Sequence, residues 1–102
     1  MKKEKTMTEN NKTNNQKSYN NVERLLIVCT GNTCRSPMAA ALARKYMPDT
    51  EVISAGTATM AGLPASIGAM DAMQQMGLSI DDHSSRPVNK YLLEEADLIL
   101  TM

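Results

Sequence analysis

The nine residues Cys29-Thr30-Gly31-Asn32-Thr33-Cys34-Arg35-Ser36-Pro37 restrict this chain's fold more than any other stretch. They follow an apolar run, Leu25-Leu26-Ile27-Val28, that reads as a buried strand. They precede an alanine-rich segment, Met38 to Met47, that reads as a helix. The nine residues are therefore a tight turn between a strand and a helix, with a cysteine at the strand end and an arginine near the helix start.

Such a turn suits an anion. Gly31 can adopt positive φ without steric cost, and Asn32 tolerates the left-handed region better than most residues. Successive backbone N–H groups can then converge as a nest. Ser36 reads as the N-cap and Pro37 as the first helical residue, where its missing N–H costs nothing. The helix N-terminus adds partial positive charge, and Arg35 offers a planar fork for two phosphate oxygens. Thr30, Gly31, Asn32, Thr33, Cys34 and Arg35 would line the cradle, with Cys29 at its base. All these groups favour a thiolate at Cys29, the nucleophilic form. The competing reading is a plain βα turn with two inert, buried cysteines, but too many residue types here agree on one task.

The remaining chain alternates strands and helices. Strand one covers about Leu25 to Cys29. Helix one runs from Pro37 to about Met47, with Arg44 and Lys45 near its C-terminus, and Pro48 stops it. Strand two covers Glu51 to Ser54, before a small-residue loop from Ala55 to Leu63. A second helix is expected from near Pro64 to Gly77, a natural C′ glycine. Its Ala69, Met70, Met73 and Met76 recur at helical spacing and are expected to pack on the sheet. A short helix over Asn89 to Glu95 and a strand over Leu98 to Met102 complete the order. This alternation predicts an α/β fold with a parallel sheet and right-handed crossovers, its ligand site at the carboxyl ends of the strands.

Size and charge bound the function. A chain of 102 residues holds one domain, here residues 22–102. Residues 1–21 carry five lysines and two glutamates with almost no apolar side chains, and read as a disordered polar tail. The tail is +3 and the remainder −3, so bulk charge argues against nucleic-acid binding. No apolar run approaches a membrane span, and no signal-peptide core follows the first lysines. Two cysteines five positions apart are not a disulfide framework, which suggests a cytoplasmic chain with reduced thiols. A metal centre would have Cys29, Cys34 and His83 as its only ligands, beside an arginine-lined anion loop that opposes a cation, so no metal or cofactor is expected.

The Cys-x5-Arg loop with Ser-Pro after it, directly after the first strand, resembles the low-molecular-weight protein tyrosine phosphatase family. The wording from Cys29 to Met38 most resembles its bacterial protein arginine phosphatases. The likeness continues through Val52 to Thr57, Gly77-Leu78, His83 to Arg86 and Ala96 to Met102, and so covers about residues 24–102. It implies a three-layer, doubly wound parallel sheet (phosphotyrosine protein phosphatase I-like) that here lacks the last strand and helix, as in a C-terminally truncated member.

The resemblance implies roles as well. Cys29 would attack phosphorus to form a phosphocysteine, Arg35 would hold the phosphoryl oxygens, and Ser36 would donate to the sulfur. Ser54 and His83 match the positions that hold the loop asparagine. Thr33 matches the arginine-specific members, and Cys34 would pair with Cys29 under oxidation. The family's general acid, an aspartate in an Asp-Pro element, has no counterpart in this chain; Asp81, Asp82 and Asp97 do not match it. The expected substrates are phosphorylated proteins, with inorganic phosphate as product and neither nucleic acid nor membrane as partner. Two alternatives are a non-catalytic phosphate-binding or redox-responsive remnant, and an arsenate reductase. The latter needs further cysteines, and none follows Cys34.

Overall fold

The computed structural model describes residues 22–102. The tail expected over residues 1–21 lies outside the described residues. Three strands form a parallel sheet: β1 (Arg24–Cys29), β2 (Glu51–Gly56) and β3 (Leu98–Thr101), in the order β2-β1-β3. Three helices join them: α1 (Arg35–Tyr46), α2 (Ile67–Gln75) and α3 (Lys90–Glu95).

Strand β1 lies between the others because it can be buried on both faces. Leu25 to Cys29 are all buried, as a continuous run in a central parallel strand requires. Leu25 and Ile27 face α1, packing with Ala40, Val52 and Leu98. Leu26 and Val28 face α3, packing with Ala55, Leu92, Ala96 and Ile99. Each fully buried aliphatic side chain contributes about 1.5–3 kcal/mol. The chain leaves β1 in one direction to reach β2 and later crosses to β3 on the opposite side. Two crossovers of the same hand in opposite directions place α1 and α3 on opposite faces, hence three layers. The point where direction reverses is the carboxyl end of β1, where Cys29 sits.

Several expected boundaries shift for visible reasons. Strand β2 runs two residues beyond Ser54, because Ala55 and Gly56 pair with Val28 and Cys29. Helix α2 starts at Ile67 rather than near Pro64, because Ser66 caps it by accepting from the Ala69 amide at 3.2 Å. It ends as expected, with Gly77 at φ 78. The methionine stripe packs on α1 rather than on the sheet: Ala69 and Met73 meet Ala41, Ala65 and Ile80, with Met38 alongside. Met76 is left about half exposed. Asn89 caps α3 through the Leu92 amide. Among the described residues, no helix is long and apolar enough to cross a membrane.

Segment 86–88 carries the chain back past the end of β2. Gly56 donates to the Arg86 carbonyl, Val88 donates to the Gly56 carbonyl, and Gly56 forms a parallel bridge with Pro87. This places residues 83–86 against the Cys29 loop.

Candidate active site

The loop after β1 turns on one residue. Asn32 has φ 57 and is fully buried. Its main-chain N–H donates to the Cys29 sulfur at 3.3 Å, and its carbonyl meets His83 Nε2 at 2.7 Å. A carbonyl only accepts, so Nε2 carries the hydrogen. The side-chain amide donates to Ser36 Oγ at 2.7 Å and to Ser54 Oγ at 3.0 Å. Its Oδ1 accepts from the Arg86 amide at 2.9 Å. Every polar atom of Asn32 is thus engaged, as burial demands, and these contacts hold a conformation that costs an L-residue energy. Ser54 and His83 stand where the resemblance implied.

Two expectations about the loop are corrected. Gly31 is not among the residues at positive φ; Asn32 makes the reversal alone, and a Cβ on Gly31 would meet only Thr33 Oγ1, at 3.7 Å. Ser36 is not the N-cap. The helix begins at Arg35, its N-cap is Cys34 without a side-chain hydrogen bond, and Pro37 is the third helical residue. Pro37 remains within the first turn, where a missing N–H is harmless. Ser36 Oγ lies 3.0 Å from the Cys29 sulfur. Ser36 Oγ accepts from Asn32 Nδ2, and its single hydrogen is free to go to a Cys29 thiolate, which can only accept.

Cys29 is 4% exposed, and burial alone pushes its thiol up. The Ser36 hydroxyl, the Ser36 and Asn32 amides, and the Arg35 charge outweigh burial and bring the thiol below its ordinary value. Arg35 is exposed at the start of α1 and makes no ion pair among the described residues. Cys34 is exposed, and both cysteines are free thiols. Thr30 and Thr33 anchor the loop through their carbonyls, which accept from Ala58 and Ser66. The carboxylate of Asp97 accepts from the Glu23 and Arg24 amides, five residues along β1 from Cys29, or roughly 16 Å away.

Sequence reasoning missed three supports. Gly56 must be glycine: a Cβ there would lie 2.7 Å from the Thr30 carbonyl oxygen, 2.9 Å from Thr59 Cγ2 and 3.0 Å from Asn32 Cβ. A glycine inside a strand is a known sign of close backbone approach. Ser85 is 2% exposed; its hydroxyl donates to the Met60 carbonyl and accepts from the Leu63 amide, tying down the loop after β2. Arg86 acts on Asn32 through its backbone amide. No local pattern marks these last two, because their partners are distant in sequence.

Comparison with known proteins agrees with this geometry. Residues 24–102 match the family described as low molecular weight phosphotyrosine protein phosphatase. A probable low molecular weight protein-tyrosine-phosphatase, EpsP of Ralstonia solanacearum, is 44% identical over 81 residues, covering 79% of this chain and 56% of that protein. The YwlE arginine phosphatase from Geobacillus stearothermophilus superposes with a TM-score of 0.73 at 43% identity, over 78% of this chain and 52% of that one. A cysteine-to-serine mutant of YwlE arginine phosphatase, solved with a phosphorylated active-site serine, superposes with a TM-score of 0.71 at 37% identity, over 78% and 54%. The chain spans about half the length of the curated relatives it matches.

Proposed function

We propose a function that starts from one established point: the chain belongs to the low molecular weight phosphotyrosine protein phosphatase family. It serves as a cysteine-dependent protein phosphatase that removes the phosphoryl group from phosphoarginine, or from phosphotyrosine, on proteins. The Cys29 thiolate attacks phosphorus in line. A sulfur–phosphorus bond forms as the bond to the leaving oxygen or nitrogen breaks. Arg35 and the amides of residues 30–35 bind the equatorial oxygens as charge spreads over them. Water then cleaves the phosphocysteine, releases inorganic phosphate and restores the thiol. Ser36 donates to the sulfur while it is the nucleophile and again while it is the leaving group.

The observation that carries this reading is a buried sulfur with a depressed pKa, facing three hydrogen-bond donors and one arginine. The phosphorylated active-site serine of the YwlE cysteine-to-serine mutant supports a covalent intermediate for such a site. Asp97 is not the proton donor, since its carboxylate holds amides at the other end of β1. Arginine is preferred over tyrosine because Thr33 offers a hydroxyl and a small side chain at the loop rim, which suits a guanidinium better than a phenol. Two free thiols fit a cytoplasmic location.

The test is turnover of an aryl phosphate by the chain, alone and with a relative's C-terminal portion appended, against Cys29→Ser. Turnover that disappears with Cys29→Ser is expected. Saturable binding of phosphate without turnover in either form would favour a non-catalytic phosphate binder. Phosphoarginine and phosphotyrosine peptides then set specificity. Thr33→Ile should shift preference toward phosphotyrosine, and unchanged relative rates would refute the role of Thr33.

A further inference from the structure

A polar cleft of about 350 Å³ opens behind the Cys29 loop, between α1, the edge of β2 and residues 79–86. Its lining includes Arg44, Arg86 and Asp82, so cationic groups outnumber carboxylates. Arg44 is fixed there by a 2.8 Å hydrogen bond from Nη2 to the Val52 carbonyl. Ser54, His83 and Ser84 add polar groups to the same wall. The volume is that of a small-molecule site. Arg44 and Arg86 both line the cleft, and two guanidinium forks within reach of it would suit an organic anion with two acidic groups, each fork taking one carboxylate or phosphate.

The cleft shares its walls with the clamp on Asn32. Ser54, His83 and Arg86 line the cleft, and the same three residues hold the Asn32 side-chain amide, carbonyl and Oδ1. The Asn32 amide in turn bonds the Cys29 sulfur. A ligand bridging Arg44 on α1 to Arg86 would restrain the 79–86 segment against the helix and tighten that clamp. We infer that this cleft is a second anion site, separate from the Cys29 loop, which takes a small organic dianion and steadies Asn32. Tighter packing of the clamp reduces local opening, so occupancy reaches the thiolate through Asn32. Binding at the cleft does not depend on the proposed phosphatase activity, and the experiment reads neither turnover nor phosphate.

Succinate serves as the dicarboxylate probe and 1,2-ethanedisulfonate as the tetrahedral-acid probe, both dianions without a phosphoryl group, each titrated into the 102-residue chain and followed by amide NMR shifts. Saturable shifts at His83, Ser84 and Arg86 are expected with at least one probe, and the stronger of the two identifies the acid group preferred. Arg86→Gln keeps the backbone amide that holds Asn32, and should weaken binding about tenfold or more. Asp82→Asn removes a like charge and should strengthen it, while Arg35→Ala should leave it unchanged. Saturating probe should slow hydrogen exchange of the Asn32 amide about five-fold. Shifts centred on residues 30–35 that vanish with Arg35→Ala would place the anion in the Cys29 loop and overturn the inference. So would absence of saturation in the millimolar range with both probes, or an Asn32 exchange rate that occupancy does not alter.

Discussion

Replacing Asn32 by Asp tests the site at its centre. The substitution preserves shape and keeps an oxygen for the Arg86 amide, but removes both hydrogens donated to Ser36 and Ser54. Ser36 has one hydrogen, now directed to the sulfur. A carboxylate 2.7 Å away at the former Nδ2 position would draw that hydrogen to itself. The sulfur loses a charge-assisted hydrogen bond worth about 1.5–3 kcal/mol, or about one to two pKa units at 1.36 kcal/mol per unit. The new negative charge pushes in the same direction. The assay is alkylation of Cys29 by iodoacetamide across pH, with Cys34→Ser in both forms to isolate one thiol. The midpoint should rise by about one to two units. Below both midpoints the rate should fall only about 4- to 13-fold, because a more basic thiolate is intrinsically more reactive with a Brønsted slope near 0.45. An unchanged midpoint in a variant with native circular dichroism would refute the assignment of the Ser36 hydrogen.

Three further outcomes are expected. The folded Cys29 thiol has a depressed pKa, so between that value and about 8.5 the unfolded chain binds more protons; stability should rise with pH across this window, be lost as pH falls through the folded value, and show no such slope in Cys29→Ser by urea denaturation. Gly56→Ala forces a Cβ to within 2.7 Å of a backbone oxygen and should cost about 1–3 kcal/mol in thermal denaturation, whereas Gly68→Ala, in α2 with nothing within 4 Å, should gain about 0.5–1 kcal/mol. Ser85→Ala removes the buried hydroxyl that bonds both the Leu63 amide and the Met60 carbonyl and should destabilise by about 1–3 kcal/mol, with faster proteolysis within residues 57–63.

The contrast between what was legible and what was not follows the reach of each interaction. The run Leu25 to Val28, the Cys29 loop and the helix after it were readable because strand burial and turn chemistry are local. So was Gly77. Ser-Pro is a sound local cap signal, yet the helix starts one residue before Ser36 without a side-chain cap; the Ser36 hydroxyl lies against a sulfur seven residues back, the other role the resemblance implied. Gly31 was credited with positive φ because glycine adopts it most easily, yet Asn32 alone is held there by Ser36, Ser54, His83 and Arg86. The stripe on α2 was legible as buried, but its partner was not: periodicity shows which face turns inward, not whether a sheet or helix α1 receives it. Gly56 and Ser85 act on backbone up to 26 residues away, and only the assembled fold reveals them.

The ties on Asn32 run to positions 54, 83 and 86, across sequence gaps of 22, 51 and 54 residues. A short strand-to-helix loop therefore owes its chemistry to the slowest contacts to arrive, since long closures form after local ones. The sulfur is expected to titrate as an ordinary thiol until the segment ending at position 86 has docked. The lowered thiol pKa is then a property of the completed architecture rather than of the loop residues alone.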